Sequence, residues 1–133
     1  MRGQSSLEYI LLLSALLLIL ISVYGLSVDM DLRRSLISSQ MEGERVASRL
    51  GRAIDAVAAA GPGAQYNLSL TTNPNQTIIV SGAEVLAFGP QNRTLAVVHT
   101  LGNLTSQNQF TANSNVQVYY NPSTGNITVT PWG

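Results

Sequence analysis

Residues 9–28, YILLLSALLLILISVYGLSV, contain no charged side chain. Wound as an α-helix at about 1.5 Å per residue, such a run reaches about 30 Å, the thickness of a bilayer's hydrocarbon core. It must therefore end in lipid, against other apolar helices, or be cut away. A secretory signal peptide would use Gly25-Leu26-Ser27 as its small-residue site and release a soluble secreted β protein cleaved after Ser27. Against that, the run exceeds the usual ~7–15-residue apolar region, and Glu8 stands where such peptides are positive. A plain membrane anchor would keep the N-terminus in the cytoplasm, because Arg2 lies there and the next basic residue is Arg33. This second reading gives a monomeric membrane-anchored cell-surface binding domain.

A third reading rests on the polar patch before the run, Arg2-Gly3-Gln4-Ser5-Ser6-Leu7-Glu8-Tyr9, followed by Leu12. With Gln4, Ser6, Glu8 and Leu12 in register, it resembles the class III signal peptide of archaeal type IV pilins. That pattern is Gln-x-Ser-x-Glu-x-x-x-Leu after a basic residue and a glycine. The resemblance covers residues 1–25. Short Flp-type bacterial pilins share the Glu-Tyr pair but lack a large second domain, and archaellins lack the Gln-x-Ser-x-Glu run. The resemblance implies cleavage after Gly3 by a leader peptidase, so that residues 1–3 are leader and Gln4 becomes a new α-amine. It also implies insertion in the membrane before assembly, contact with a pilus assembly machinery, and then polymerisation into an extracellular cell-surface filament. Copies of the chain would meet there through the helix positions Leu11, Leu12, Leu16 and Leu20. Glu8 would become the fifth residue, able to neutralise the α-amine of Gln4 on a neighbour. A carboxylate at a bilayer centre costs about 2.5–3.5 kcal/mol and less near an interface. An interfacial Glu8 that simply meets water is the plainer alternative.

The rest of the chain is bounded by its size. The chain has 133 residues, zero net charge and no cysteine. Once the apolar run is set aside there is room for one modest domain. No basic stripe suggests nucleic acid, and no disulfide or thiolate metal site can form. Over residues 29–60 the helix should continue, since no proline precedes Pro62. Leu32, Leu36, Gly43, Ala47, Leu50, Ile54 and Val57 recur near a 3.6 period. Asp29/Arg33, Glu42/Arg45 and Arg52/Asp55 suit a solvated opposite face. Gly43 and Gly51 weaken the helix by up to about 1 kcal/mol each, and their small size would admit another helix. Gly61-Pro62-Gly63 is a strong stop.

Composition then changes. Residues 61–133 hold all ten asparagines of the chain, with Glu84, Arg93 and His99 as the only ionisable acidic or basic side chains. β-rich runs at 66–70, 77–80, 84–88, 94–100, 116–120 and 127–130 are separated by turn signals such as Ser81-Gly82 and Asn121-Pro122-Ser123-Thr124-Gly125. Alternation at Tyr66/Leu68/Leu70 and Val116/Val118/Tyr120 gives each of these strands one inner face. The expected fold class is α+β. Residues 4–60 form one long N-terminal helix, and residues 61–133 an extracellular antiparallel β sandwich or small open barrel of six or seven strands. The stripe Leu50, Ile54, Val57 would dock on that sheet.

No motif here points to catalysis or to a cofactor. His99 reads as a packed or rim residue on the face of Leu95 and Val97, with Glu84 the only carboxylate available to orient it. Trp132 and the tyrosines read as core or surface anchors. Five sequons stand out, at Asn67, Asn75, Asn92, Asn103 and Asn126. With about a fifth Ser or Thr in this region, chance gives roughly two from ten asparagines. Glycans there would supply solubility that the scarce charges do not.

Overall fold

The computed structural model describes residues 2–71, 76–102, 104, 108–111 and 114–132. A single helix, α1, runs from Arg2 to Ala60. It stops where the sequence requires. Gly61 takes φ +91°, open to glycine at no steric cost, and its N–H donates to the Val57 carbonyl at 3.2 Å. That is the left-handed cap that satisfies a carbonyl at a helix end.

Among the described residues seven strands follow: β1 (Gln65–Leu70), β2 (Thr77–Ser81), β3 (Glu84–Phe88), β4 (Thr94–His99), β5 (Asn108–Thr111), β6 (Ser114–Tyr120) and β7 (Ile127–Pro131). They form two antiparallel sheets, ordered β1-β6-β7 and β4-β3-β2-β5. The β2–β3 hairpin closes through Gly82 at φ +61°, with Ala83 outside the left-handed region. That matches the turn type whose twist suits a two-residue hairpin. The β6–β7 turn is pinned by Asn121, whose Oδ1 accepts the Ser123 N–H at 2.9 Å. At the other sheet's margin, the Asn108 side-chain amide donates to the Val129 carbonyl, tying β5 to β7.

The chain divides into two compact units, Met1–Ile37 and Ser38–Gly133. Within the second, the expected stripe is buried: Leu50 and Ile54 are 0 % exposed and Val57 is 2 %. Val46, Ala47 and Ala53 join them, with Leu68, Leu70, Val116, Val118, Ile127 and Val129 from one sheet. Ile78, Val80, Val85, Ala87 and Phe110 come from the other. Both sheets thus share one core with the helix. Upstream, Leu32 and Leu36 belong to the same periodic stripe, yet both are exposed.

Three local expectations change. The strand β5 has no apolar alternation and only Phe110 as its buried anchor, which is why periodicity missed it. Leu95 packs against the core whereas Val97 is exposed, although two-residue spacing puts them on one face. The pairing of β3 with β4 shifts register between Ala87 and Phe88, and such an irregularity re-aims side chains locally. Gly43 and Gly51 admit a sheet rather than a helix. A Cβ on Gly43 would lie 2.9 Å from Leu95 Cδ1, and one on Gly51 2.8 Å from Val98 Cγ1.

Both approaches predict a cost. Beside the mobile Leu95 Cδ1, a Cβ on Gly43 would lie 3.0 Å from Leu95 Cβ, which is fixed to the backbone, and Val98 Cγ1 sits on a stiff β-branched stem. Replacing glycine by alanine in a helix gains up to about 1 kcal/mol, and overpacking costs about 1–3 kcal/mol. Gly43→Ala and Gly51→Ala should therefore each destabilise by about 1–2 kcal/mol. Chemical denaturation followed by circular dichroism checks this; an unchanged midpoint in either variant would contradict it.

Candidate assembly surface

The first unit consists of helix alone, and its described side chains from Gly3 to Ile37 are all exposed. Leu11, Leu12, Leu16 and Leu20 are 60–68 % exposed, and the apolar surface surrounds the helix on every side from Leu7 to Val28. The segment is long and apolar enough to cross a membrane, and it is compatible with membrane insertion. Two of the three serines inside the run bond back to their own helix. Ser14 Oγ donates to the Leu11 carbonyl at 2.9 Å and Ser22 Oγ to the Leu18 carbonyl at 2.8 Å. Serines that bond back to their own helix can sit in an apolar medium at little cost.

At the start of α1, Gly3, Gln4, Ser6 and Glu8 are helical and exposed. A Cβ on Gly3 would meet nothing within 4 Å. The Arg33 Nε–Asp29 Oδ2 pair forms at 3.0 Å just past the apolar run, fully on the surface. Exposed pairs of this kind contribute about 0–1 kcal/mol.

In the second unit, two shallow grooves among the described residues lie along the outer face of α1. One, about 250 Å³, is lined by Met41, Glu44, Arg45, Ser48 and Arg52. The other, about 230 Å³, lies between Arg49, Arg52, Ala53 and Ala56 of the helix and Tyr66 and Leu68 of β1. Gln76 is buried and donates from Nε2 to the Ser39 carbonyl at 2.9 Å, fastening the loop before β2 to the helix where the unit begins. Asp55 Oδ1 accepts the Leu101 N–H at 2.7 Å and fastens a second loop.

The sequons fall in different settings. Asn67 is exposed in the middle of β1, opposite Gln117. Asn92 is exposed on a turn with φ 56°, and Asn126 is half-buried in the β6–β7 turn. Asn75 and Asn103 lie outside the described residues.

The fold does bring together the one histidine and the one carboxylate of the β region. His99 Nδ1 and Glu84 Oε1 are 3.3 Å apart across β4 and β3, with His99 exposed and Glu84 half-buried. Among the described residues no third His, Cys, Asp or Glu joins them in a metal-holding group. His99 is a rim residue in a surface pair. Trp132 is half-exposed, held through its backbone N–H to the Asn115 carbonyl at 2.8 Å.

Comparison of the chain with protein-family models, curated proteins and solved structures returns no match.

Proposed function

We propose that the chain is the structural subunit of an extracellular type IV pilus-like filament, inserted in the membrane before assembly. The observation that carries this reading is a single helix with two environments. Its first part presents apolar side chains all round and covers none of them, while its last part is the core of a β unit. An exposed apolar surface of this extent demands burial. Lipid supplies it before assembly, and the helices of neighbouring copies supply it afterwards, with the β units outside. The uncharged strands, and sequon asparagines in solvent at Asn67 and Asn92, suit a glycosylated surface that serves adhesion. The Arg2-Gly3-Gln4-x-Ser6-x-Glu8 pattern supports removal of residues 1–3 before assembly.

Surface filaments sheared from cells that make the protein should contain it, and N-terminal sequencing should begin at Gln4. A mature protein beginning at Val28 would establish secretory cleavage after Ser27 instead. Full-length chain confined to membranes, with no filament, would establish the monomeric anchor.

A further inference from the structure

We propose that the outer face of the four-stranded sheet is a contact face for a second copy of this chain. The two β units stack sheet on sheet about a two-fold axis that crosses the strands. This pairing is separate from assembly through the apolar helix and does not depend on the filament reading.

The first support is the pattern along the strands. A strand that buries one face alternates apolar and polar residues, whereas a strand buried on both faces reads as an unbroken apolar run. On the three-stranded sheet the positions facing away from the core are polar, among them Asn67, Ser69, Asn115, Gln117, Thr128 and Thr130. The four-stranded sheet does not alternate. It carries Ile78-Ile79-Val80 in β2, Val85-Leu86-Ala87-Phe88 in β3 and Ala96-Val97-Val98 in β4. Ile78, Val80, Val85 and Ala87 lie in the core, and Ala96 and Val98 pack against it. Strand alternation therefore turns Ile79, Leu86, Phe88 and Val97 to the outer face.

The second support is how those side chains are arranged. Strand register sets Ile79, Leu86 and Val97 side by side in one row across three strands, with Phe88 two residues along β3. Val97 is 47 % exposed and the other three are half-buried, and none belongs to the core. Gln109 ends the row on β5, and Thr77, Ser81 and Thr94 border it. An apolar centre with a polar rim is the anatomy of a contact surface. Another sheet matches such a row, since two sheets stacked about 10 Å apart interdigitate their facing side chains.

Charge selects both the occupant and its orientation. Besides His99, Glu84 and Arg93 are the only charged side chains of residues 61–133. They stand at opposite ends of the β3–β4 pair. Glu84 opens β3, and Arg93 precedes β4, its carbonyl accepting the Gly89 N–H at 2.8 Å. Arg93 is exposed and in no ion pair among the described residues. A two-fold axis along the row turns the second copy end for end. Glu84 of each copy then comes to the end that carries Arg93 of the other, while Ile79, Leu86 and Val97 each meet their own counterparts. A two-fold axis along the strands would instead set Glu84 against Glu84 and Arg93 against Arg93, which repel. A two-fold contact uses the same patch on both copies, so a patch whose charges complement themselves fits a second copy.

The chain has no cysteine, so single substitutions report the contact. Purified full-length Val97→Cys in detergent, treated with a short bismaleimide, should link into dimers by itself, because residues near the axis meet their own counterparts. Gln117→Cys, on the outer face of the other sheet, should not. Placed in the Val97→Cys chain, Glu84→Arg and Arg93→Glu should each lower the linked fraction about tenfold, since symmetry creates two like-charge contacts. The two changes combined should restore it. No linkage of Val97→Cys, equal linkage of Gln117→Cys, or no recovery on combining the charge changes would each overturn the pairing. Linkage of Val97→Cys only to Ile79→Cys copies would place the axis along the strands and overturn the orientation. Linkage of Val97→Cys to Leu16→Cys copies in place of itself would make a neighbour's apolar helix the occupant and overturn the sheet contact.

Discussion

Glu8→Gln should abolish filament formation while membrane insertion and the β unit stay intact. In the proposed assembly the α-amine of Gln4 on one subunit meets the Glu8 carboxylate of another after the helices leave lipid. Gln at position 8 makes the helix more comfortable in a bilayer but leaves the incoming amine charged and unpartnered among apolar side chains. Removing one side of a buried ion pair costs roughly 100-fold or more in an equilibrium constant, whereas an exposed pair changes it by less than about fivefold. In the isolated chain Glu8 is exposed, so substitution there disturbs no intramolecular contact of the second unit. The measurement is filament yield against membrane-bound subunit in the same cells. Normal filaments at normal abundance would make Glu8 an ordinary interfacial carboxylate.

Leu50→Ala should produce the opposite pattern, a destabilised β unit through loss of core rather than loss of assembly chemistry. Leu50 is fully buried among residues from both sheets, and truncating such a leucine costs about 2–5 kcal/mol through lost burial and the cavity left behind. Leu16→Ala removes the same atoms from the same helix, but Leu16 is 60 % exposed in the isolated chain and leaves no cavity there. It should leave the denaturation midpoint of the β unit unchanged and act on assembly alone. Denaturant titration of both variants in detergent, read by circular dichroism, separates the two. A Leu16→Ala midpoint shifted as far as that of Leu50→Ala would show that the first unit is part of the folded core.

Much of this architecture was legible along the chain because it depends on neighbours in sequence. An unbroken run without proline makes the helix, and Gly61 ends it. Period-two runs between glycine, proline and asparagine clusters make six of the seven strands to within a few residues. The candidate assembly surface was legible for the same reason, since an uncharged 20-residue stretch is a local property. The strand β5 was not, because a single buried phenylalanine leaves no periodicity to read.

By itself, then, the sequence determined the extents of the helix and of most strands, the stop at Gly61, and the contrast between an apolar first segment and an amphipathic second. Only the tertiary structure decided that β1 joins β6 and β7 while β4, β3, β2 and β5 form a separate sheet. It also decided that the periodic stripe is buried at Leu50 and exposed at Leu36, and that Gly43 and Gly51 are spaces for Leu95 and Val98. The physical reason is range. Helix formation and turns are set by bonds among residues a few positions apart, whereas sheet order and burial depend on which distant surfaces meet, and equal stretches of apolar sequence carry no label for their partner.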